Sequence, residues 1–547
     1  MNFGHEDIDR VGRFWNARAM AQREGLKAVQ MFEAVERGEI KALWVMATTP
    51  AVSLPRAGAV REALAKLDLF VVSENVLSND TVNAGAQILL PAAAWGEKDG
   101  TVTNSERRIT RQRPFLPLPG EAKPDWWIVT EVARRMGFAD AFNFDSAAAV
   151  FREHAALSAF ENNGTRDFDI GALATLSDDE FNALDPVQWP ARQGASIGEP
   201  RGETRFFADG GFFTPDRKAQ LIAPDKPAPH AKVSAEFSLR LNTGRVRDQW
   251  HTMTRSGLSP RLGAHLPEPF VEVHPKDAAK LGLRDGGFAR VRSPHGACVL
   301  KVTVSESQRR GSLFAPIHWS DETASSARVG DLVAPATDPY SGQPESKTTP
   351  VTIEPVAFAF RGFALSRTPL AIPAAAWWSR VTVANGAGWL LASNDTPDVW
   401  REHAKAMFGA GTEVAEYFDA PRGSYRMAAF VDGRLTGALF IGPAEAAPHW
   451  DAVKALFEAE SVGDAQRRGL LSGKSTDGLA DPGPVICACF GVGLNVIRAA
   501  IASGQAANVE DIGKALRAGT NCGSCLPELK KIVSQKVENN ERVAQTA

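Results

Sequence analysis

Apolar positions recur along this chain at two different periods. Leu26, Val29, Phe32 and Val35 share one face of a helix, and Gly38 stops it. Residues 40–46 form an apolar run of strand length, broken only by Lys41 and ended by Thr48-Thr49-Pro50. A helix over 60–67, a second buried strand over 69–73 and a third over 88–90 follow. Strands alternating with helices predict a parallel α/β sheet, whose ligands sit beyond the carboxyl ends of its strands. Here that means residues 47–50 and 73–75. Residues 97–113 read as a polar loop with a dense basic run, Arg107, Arg108, Arg111 and Arg113. The run is either a solvated face or a field that draws in anionic ligands. Residues 145–225 read as a helical excursion with connectors.

From residue 237 the period shortens to two. Strands are expected at 237–241, 270–273, 288–292, 297–304, 314–317 and 351–353, with a short helix at 275–281. Ser293-Pro294-His295-Gly296 is a hairpin turn. The set predicts a small all-β domain, a barrel. Residues 357–367 read as a join. A third region follows, with strands near 389–392, 427–431 and 438–441 and a helix over 451–459. Residues 472–484, rich in Gly, Asp and Pro, are a linker, and the tail after Lys536 is polar and frayed. No internal repeat is evident. The chain of 547 residues is too long for one core. The expected domains are 1–225 (α/β with the helical excursion), 228–356 (barrel), 365–471 (small α+β) and, beyond the linker, 485–536 (small and helical). The fold class is multidomain α/β plus β.

Composition narrows the classes. Apolar residues make 44% and charged residues 23%, ordinary for a globular protein, and the formal charge is -3. That balance gives no electrostatic case for nucleic acid or an anionic membrane. The first fifteen residues carry His5, Glu6, Asp7, Asp9, Arg10 and Arg13 and lack the apolar core of a signal peptide. Apolar runs such as 88–95 are far too short to span a bilayer. The expectation is a soluble, cytoplasmic protein.

The cysteines carry the clearest chemistry. Four of the five lie between Cys487 and Cys525, as Cys487-Ala488-Cys489 and Cys522-Gly523-Ser524-Cys525. A disulfide framework would not leave the rest of the chain almost bare, so the tetrad reads as a metal site. Two short pairs on tight turns can bring four thiolates to an iron–sulfur cluster, and four cysteines also suit zinc. Gly491, Gly493, Gly519 and Gly523 let the backbone bend round the metal. Leu494, Ile497 and Ile501 mark one amphipathic helix between the pairs, and Val509, Ile512 and Leu516 another. Pro527 sits where a further helix begins. Cys298 shares a strand face with Leu300, Val302 and Val304 and reads as a small buried hydrophobe.

Segments 485–495 (VICACFGVGLN) and 518–530 (AGTNCGSCLPELK) resemble the bacterioferritin-associated-ferredoxin-like [2Fe-2S] domain. The resemblance implies that Cys487, Cys489, Cys522 and Cys525 ligate the cluster. Segments 41–55 (KALWVMATTPAVSLP), 90–108 (LPAAAWGEKDGTVTNSERR), 241–255 (LNTGRVRDQWHTMTR) and 338–347 (DPYSGQPESK) are similar to the molybdopterin oxidoreductase family. Within it they are most like the catalytic subunits of bacterial assimilatory nitrate reductases. The resemblance implies a partial Rossmann-like sheet domain, a double-psi-type barrel and a partial site for molybdenum bis(molybdopterin guanine dinucleotide). In that site Gly244 of the Thr243-Gly244-Arg245 loop admits a phosphate and Arg245 pairs with it. Val246, Arg247, Asp248 and Gln249 continue the motif. His251 and Thr252 add polar contacts, and Trp250 adds a flat apolar wall. Ser73 and Glu74 read a ribose or guanine edge. Lys98, Asp125, Trp319 and Lys347 fall where family members touch the pterin nucleotides.

The implied activity is reduction of nitrate to nitrite. Electrons would come from a ferredoxin, a flavodoxin or an NAD(P)H-linked reductase and enter through the [2Fe-2S] cluster. Other readings are a formate dehydrogenase, a non-catalytic electron-transfer or cofactor-holding subunit, and an inactive fragment. Family members begin with a cysteine-bound [4Fe-4S] domain, and these nitrate reductases add a molybdenum-ligating cysteine. No cysteine precedes Cys298. The expectation is therefore the C-terminal half of such an enzyme, working with a separate N-terminal half and inactive without it. Within the motifs, Thr49 stands for a usual Asn, Glu74 for Asp, Gln87 for Asp and Gly330 for Asn. A lost cofactor hydrogen bond at such a position costs about 1 kcal/mol.

Overall fold

The computed structural model describes residues 3–194, 205–223, 228–408, 412–472 and 482–535. The chain divides into two compact units. One comprises Met1–Thr48, Ala63–Ser78 and Val82–Ala228, the other Thr49–Glu62, Asn79–Thr81 and Pro229–Ala547.

The first unit holds a parallel three-stranded sheet, Ala42–Met46, Leu69–Glu74 and Ile88–Pro91, in sequence order. Its strands and the helix Ala28–Glu36 follow the apolar runs, with Val45, Phe70 and Val72 buried. Gln87 stitches the sheet: its side-chain oxygen accepts from the Phe70 N–H at 2.5 Å and its amide donates to the Leu67 carbonyl at 3.2 Å. The polar loop expected over 97–113 is instead a hairpin. Strands Gly100–Thr103 and Arg108–Gln112 pair antiparallel and continue to Val187–Gln188. Neither reading describes Arg107 and Arg111, while Arg113 is exposed and Arg108 pairs with Glu106. Arg111 is buried and pairs with Asp99, and its guanidinium lies 4.1 Å from the Phe181 ring centroid. Arg107 lies over the rings of Trp189 and Phe206, and Arg113 donates to the Asn182 carbonyl. These side chains cap carbonyls and cover aromatic faces, which sequence cannot distinguish from solvation.

The second unit contains a closed six-stranded barrel. Round its wall run Ala297–Val304, Phe270–Val273, Ser312–Pro316, Leu239–Gly244, Thr349–Val356 and Phe288–Arg292. Two of the pairings are parallel and four antiparallel. Alternate side chains fill it, among them Leu241, Val271, Val291, Leu300, Val302, Leu313 and Val351. Cys298 is buried on that face, its thiol near the Arg328 carbonyl, and burial pushes its pKa up.

The expected join at 357–367 is the strand Phe360–Ser366, central in a six-stranded antiparallel sheet. The order is Trp377–Val383, Gly386–Ser393, Phe360–Ser366, Arg434–Pro443, Ser424–Val431, Glu413–Asp419. A domain start at 365 therefore falls inside a strand. Each face of the sheet has its own core. Phe363, Phe430 and Phe440 pack with Phe457 of the helix Asp451–Glu458. Ala364, Met427 and Leu439 pack with Trp400 of the helix Pro397–Phe408. Most of the expected linker, 473–481, lies outside the described residues, as does the tail from 536.

In the last segment Val485–Cys487 pairs antiparallel with Val492–Gly493, followed by helices Leu494–Ala502, Val509–Leu516 and 526–535. Ile497, Ile501, Ile512 and Leu529 form its core with Cys487 and Cys525. Gly493 admits no side chain, since a Cβ there would stand 2.0 Å from the Pro482 carbonyl oxygen. Among the described residues, no helix is long and apolar enough to cross a membrane.

Candidate cofactor sites

The four cysteines occupy the two turns the sequence expects. Cys487 ends a strand and Cys489 follows it; Cys522 and Cys525 precede the helix 526–535. Gly519 and Gly523, at φ 87° and 73°, turn the second pair. The sulfurs associate across the two motifs. Cys489 Sγ lies 3.3 Å from Cys522 Sγ, and the Cys487 and Cys525 thiols are hydrogen-bonded to each other. Among the described residues, no three His, Cys, Asp or Glu side chains gather as a single metal ion needs. The two turns together offer the four thiolates that a [2Fe-2S] cluster needs. Cys487 and Cys525 are buried, Cys489 is half-buried and Cys522 exposed, so one edge of the site meets solvent. Burial pushes the Cys525 thiol up to about 11. Hydrogen bonds from Ser524, and then the Cys489 thiol, lower the pKa of Cys522.

The loop after Leu239–Gly244 is pinned from below. Thr243 Oγ1 donates to the Ser346 carbonyl at 2.8 Å, and Lys347 Nζ donates to the Thr243 carbonyl. Gly244 has a packing reason of its own: a Cβ there would stand 2.5 Å from the Phe314 ring. His318, which the sequence reading missed, is wholly buried beneath the loop. Its Nε2 accepts from the Val246 N–H at 2.9 Å, so Nδ1 carries the proton and donates to the His251 carbonyl at 2.6 Å. Burial lowers its pKa and keeps this tautomer neutral. The only signal in sequence is its place before Trp319.

Arg245 is exposed and makes no ion pair among the described residues. Trp250 is 46% exposed, with the Arg255 guanidinium 5.0 Å from its ring centroid. Gln249 accepts from Ser256 Oγ at 2.7 Å, and His251, at φ 41°, and Thr252 continue the turn. A loop bearing Arg245 and Arg255 above Lys347 fits a polyanionic nucleotide.

Two expected contacts of this motif point elsewhere. Arg247 is chelated by Asp248, donates to Glu528 at 2.7 Å and donates to the Ile486 carbonyl at 2.9 Å. Those groups flank the cysteine pairs, so the Arg247 and Asp248 side chains serve the cluster segment. Trp319, expected to touch the pterin nucleotide, is 1% exposed and part of the barrel core.

In the first unit Ser73, at a strand's carboxyl end, accepts from Trp44 Nε1 at 2.8 Å, and Glu74 caps the Asn75 N–H. Lys98 and Asp125 pair with each other.

Residues 3–135 match the molybdopterin oxidoreductase family, 239–350 the molydopterin dinucleotide binding domain and 485–535 the BFD-like [2Fe-2S] binding domain. These matches give the chain domains for both a molybdopterin dinucleotide and a [2Fe-2S] cluster. Among curated proteins, the nitrate reductase of Klebsiella oxytoca is 44% identical over 98% of this chain and 60% of its own length. The nitrate reductase of Shewanella frigidimarina is 33% identical over 98% of this chain and 59% of its own. The assimilatory nitrate reductase catalytic subunit of Bacillus subtilis is 34% identical over 61% of this chain and 45% of its own. The chain thus spans about half to three fifths of the length of these relatives.

Proposed function

We propose that the protein is an assimilatory, cytoplasmic oxidoreductase that reduces nitrate to nitrite at molybdenum held by molybdopterin guanine dinucleotide. A ferredoxin, a flavodoxin or an NAD(P)H-linked reductase would feed electrons to the [2Fe-2S] cluster at its exposed edge, beside Cys522. One observation carries the reading: the segment bearing the four cysteines is bonded, through Arg247, to the same barrel loop that presents Arg245. When bound, the molybdenum cofactor supplies the oxygen-atom transfer and the two electrons it requires.

The residues of the chain bind and orient. Arg245 pairs with a phosphate, and Thr243, Val246, Gln249, His251 and Thr252 shape the loop, which Gly244 allows to close on Phe314. Trp250 offers its exposed face, and Lys347 adds positive charge under the loop. Ser73, Glu74, Lys98 and Asp125 are assigned to the nucleotide's polar edges. The mixed parallel and antiparallel pairing of the barrel supports the double-psi type. The parallel order of the three-stranded sheet supports part of a Rossmann-like domain.

The test is metal analysis of purified protein with an assay using reduced viologen and nitrate. Two irons and two acid-labile sulfides per chain are expected, with molybdenum retention and nitrite formation when a separate N-terminal half is co-expressed and no nitrite from the chain by itself. Stoichiometric zinc in iron-replete cells would overturn the cluster assignment. In the loaded protein Arg245→Ala should weaken nucleotide retention by roughly 1.5–3 kcal/mol, the worth of a charge-assisted bond. Unchanged retention would remove Arg245 from the site.

A further inference from the structure

A half-buried ion network joins the barrel to the cysteine-bearing segment, its Glu528 side chain 40% exposed. Arg247, Asp248 and His265 come from the barrel side, and their side chains are 18%, 11% and 10% exposed. Glu528 comes from the helix 526–535. Arg247 Nη1 meets Glu528 at 2.7 Å, Nη2 meets the Ile486 carbonyl at 2.9 Å, and Nε and Nη2 grip Asp248. His265 stands between the two carboxylates, 2.7 Å from Asp248 and 3.6 Å from Glu528. Arg261 reaches the Cys489 carbonyl at 3.5 Å. The guanidinium of Arg247 thus bonds the residue before Cys487 and the carboxylate three positions after Cys525.

We propose that Arg247 is a positioning residue for the [2Fe-2S] cluster, seating its ligand turns against the barrel and raising its reduction potential through its charge. The inference rests on the four cysteines holding that cluster. A [2Fe-2S] cluster on four thiolates carries two negative charges oxidised and three reduced. A cation held beside it stabilises the reduced form more, and in a partly buried site little solvent screens it. Asp248 and Glu528 act in the opposite sense, and Asp248 fixes where the cation stands.

Charge and mere docking predict opposite signs. Loosening the module would let water reach the cluster, which favours the more highly charged reduced form and moves the potential up. Losing the Arg247 charge leaves Asp248 and Glu528 with only His265 to offset them and moves it down. The experiment is a redox titration of the full chain, followed by visible absorption and by the EPR signal of the reduced cluster. Parent, Arg247→Met, Arg247→Lys and Glu528→Gln are compared, with iron and sulfide measured in each. The expected result is a downward shift for Arg247→Met, an upward shift for Glu528→Gln and a near-parent value for Arg247→Lys. An unchanged or raised potential in Arg247→Met would overturn the proposal. If Arg247→Met does not retain iron, the other two variants decide. A rise in Glu528→Gln with a parent value in Arg247→Lys supports it, and any other pair of results overturns it. Absence of iron and sulfide from the parent would instead remove the cluster assignment on which the inference stands.

Discussion

At the scale of single residues, His318 decides whether the nucleotide loop keeps its shape. Replacing it with Ala leaves the Val246 N–H and the His251 carbonyl without their partner in a partly buried position. Each orphaned group costs about 1–3 kcal/mol. The His318→Ala chain should lose roughly 2–4 kcal/mol of stability in urea titration, at the lower end if water fills the gap. Burial lowers the His318 pKa in the folded state. The unfolded chain therefore takes up a proton near pH 6.5 that the folded chain refuses. The contribution is complete above that pH and is lost as pH falls below it. Parent stability should fall more steeply from pH 7 to 5 than that of His318→Gln; equal slopes would remove His318 from the account. The two cysteine turns, 487–489 and 522–525, were legible in sequence from their spacing. Trp319 and Arg111 were not, because only the folded chain buries one in a barrel and the other against Phe181.

At the scale of elements, the departures from the family motif have local causes. Gly330 lies in the turn Val329–Asp331, and a Cβ there would stand 2.2 Å from the Val52 carbonyl oxygen of the helix Pro50–Ser53. Backbone cannot yield as a flexible side chain can. Gly330→Asn, which writes in the family residue, should destabilise the chain by about 1–3 kcal/mol. A melting temperature equal to the parent's would show that these elements separate freely. Gln87 likewise earns its place by bonding Phe70 and Leu67. Barrel strands such as Phe270–Val273 and Phe288–Arg292 were legible to the residue because one face is apolar and turns bound them. Phe360–Ser366 was missed because Arg361 and Gly362 interrupt its run. Arg361 donates to the Gly286 carbonyl and lies over the Phe288 ring, and a Cβ at Gly362 would meet the Phe440 carbonyl. The hairpin 100–112 was missed because its inward residues include Arg111, which no apolar period can reveal.

At the scale of the whole molecule, the seat of the cysteine-bearing segment on the barrel depends on His265 being charged. Burial opposes that charge, but the carboxylates of Asp248 and Glu528 outweigh it and raise the pKa above the usual histidine value. Burial likewise opposes the Asp248 and Glu528 charges, yet His265 and Arg247 hold Asp248 at about 2 and Glu528 below the usual range. The charged groups facing His265 are these two carboxylates and Arg247; its contact with Asp248 is an ion pair rather than an aligned hydrogen bond. A raised histidine pKa gives stability that is complete below about pH 6.5 and lost as pH rises through the folded value. The lowered carboxylate values give stability that is present above about pH 4 and lost only in stronger acid. The seat should therefore be firmest between about pH 4 and 6.5 and loosen toward alkaline pH. Amide hydrogen exchange over residues 485–493 in the cluster-loaded chain, corrected for the intrinsic rate, should show greater protection at pH 6 than at pH 8.5. The Arg247 bond to the Ile486 carbonyl persists throughout, so the change should be partial rather than a release of the segment. In His265→Gln, whose side chain cannot titrate, protection should be the same at both values and match the parent at pH 8.5. Equal protection in the parent at pH 6 and 8.5 would mean that Arg247 alone holds the segment and that His265 is a bystander in the network.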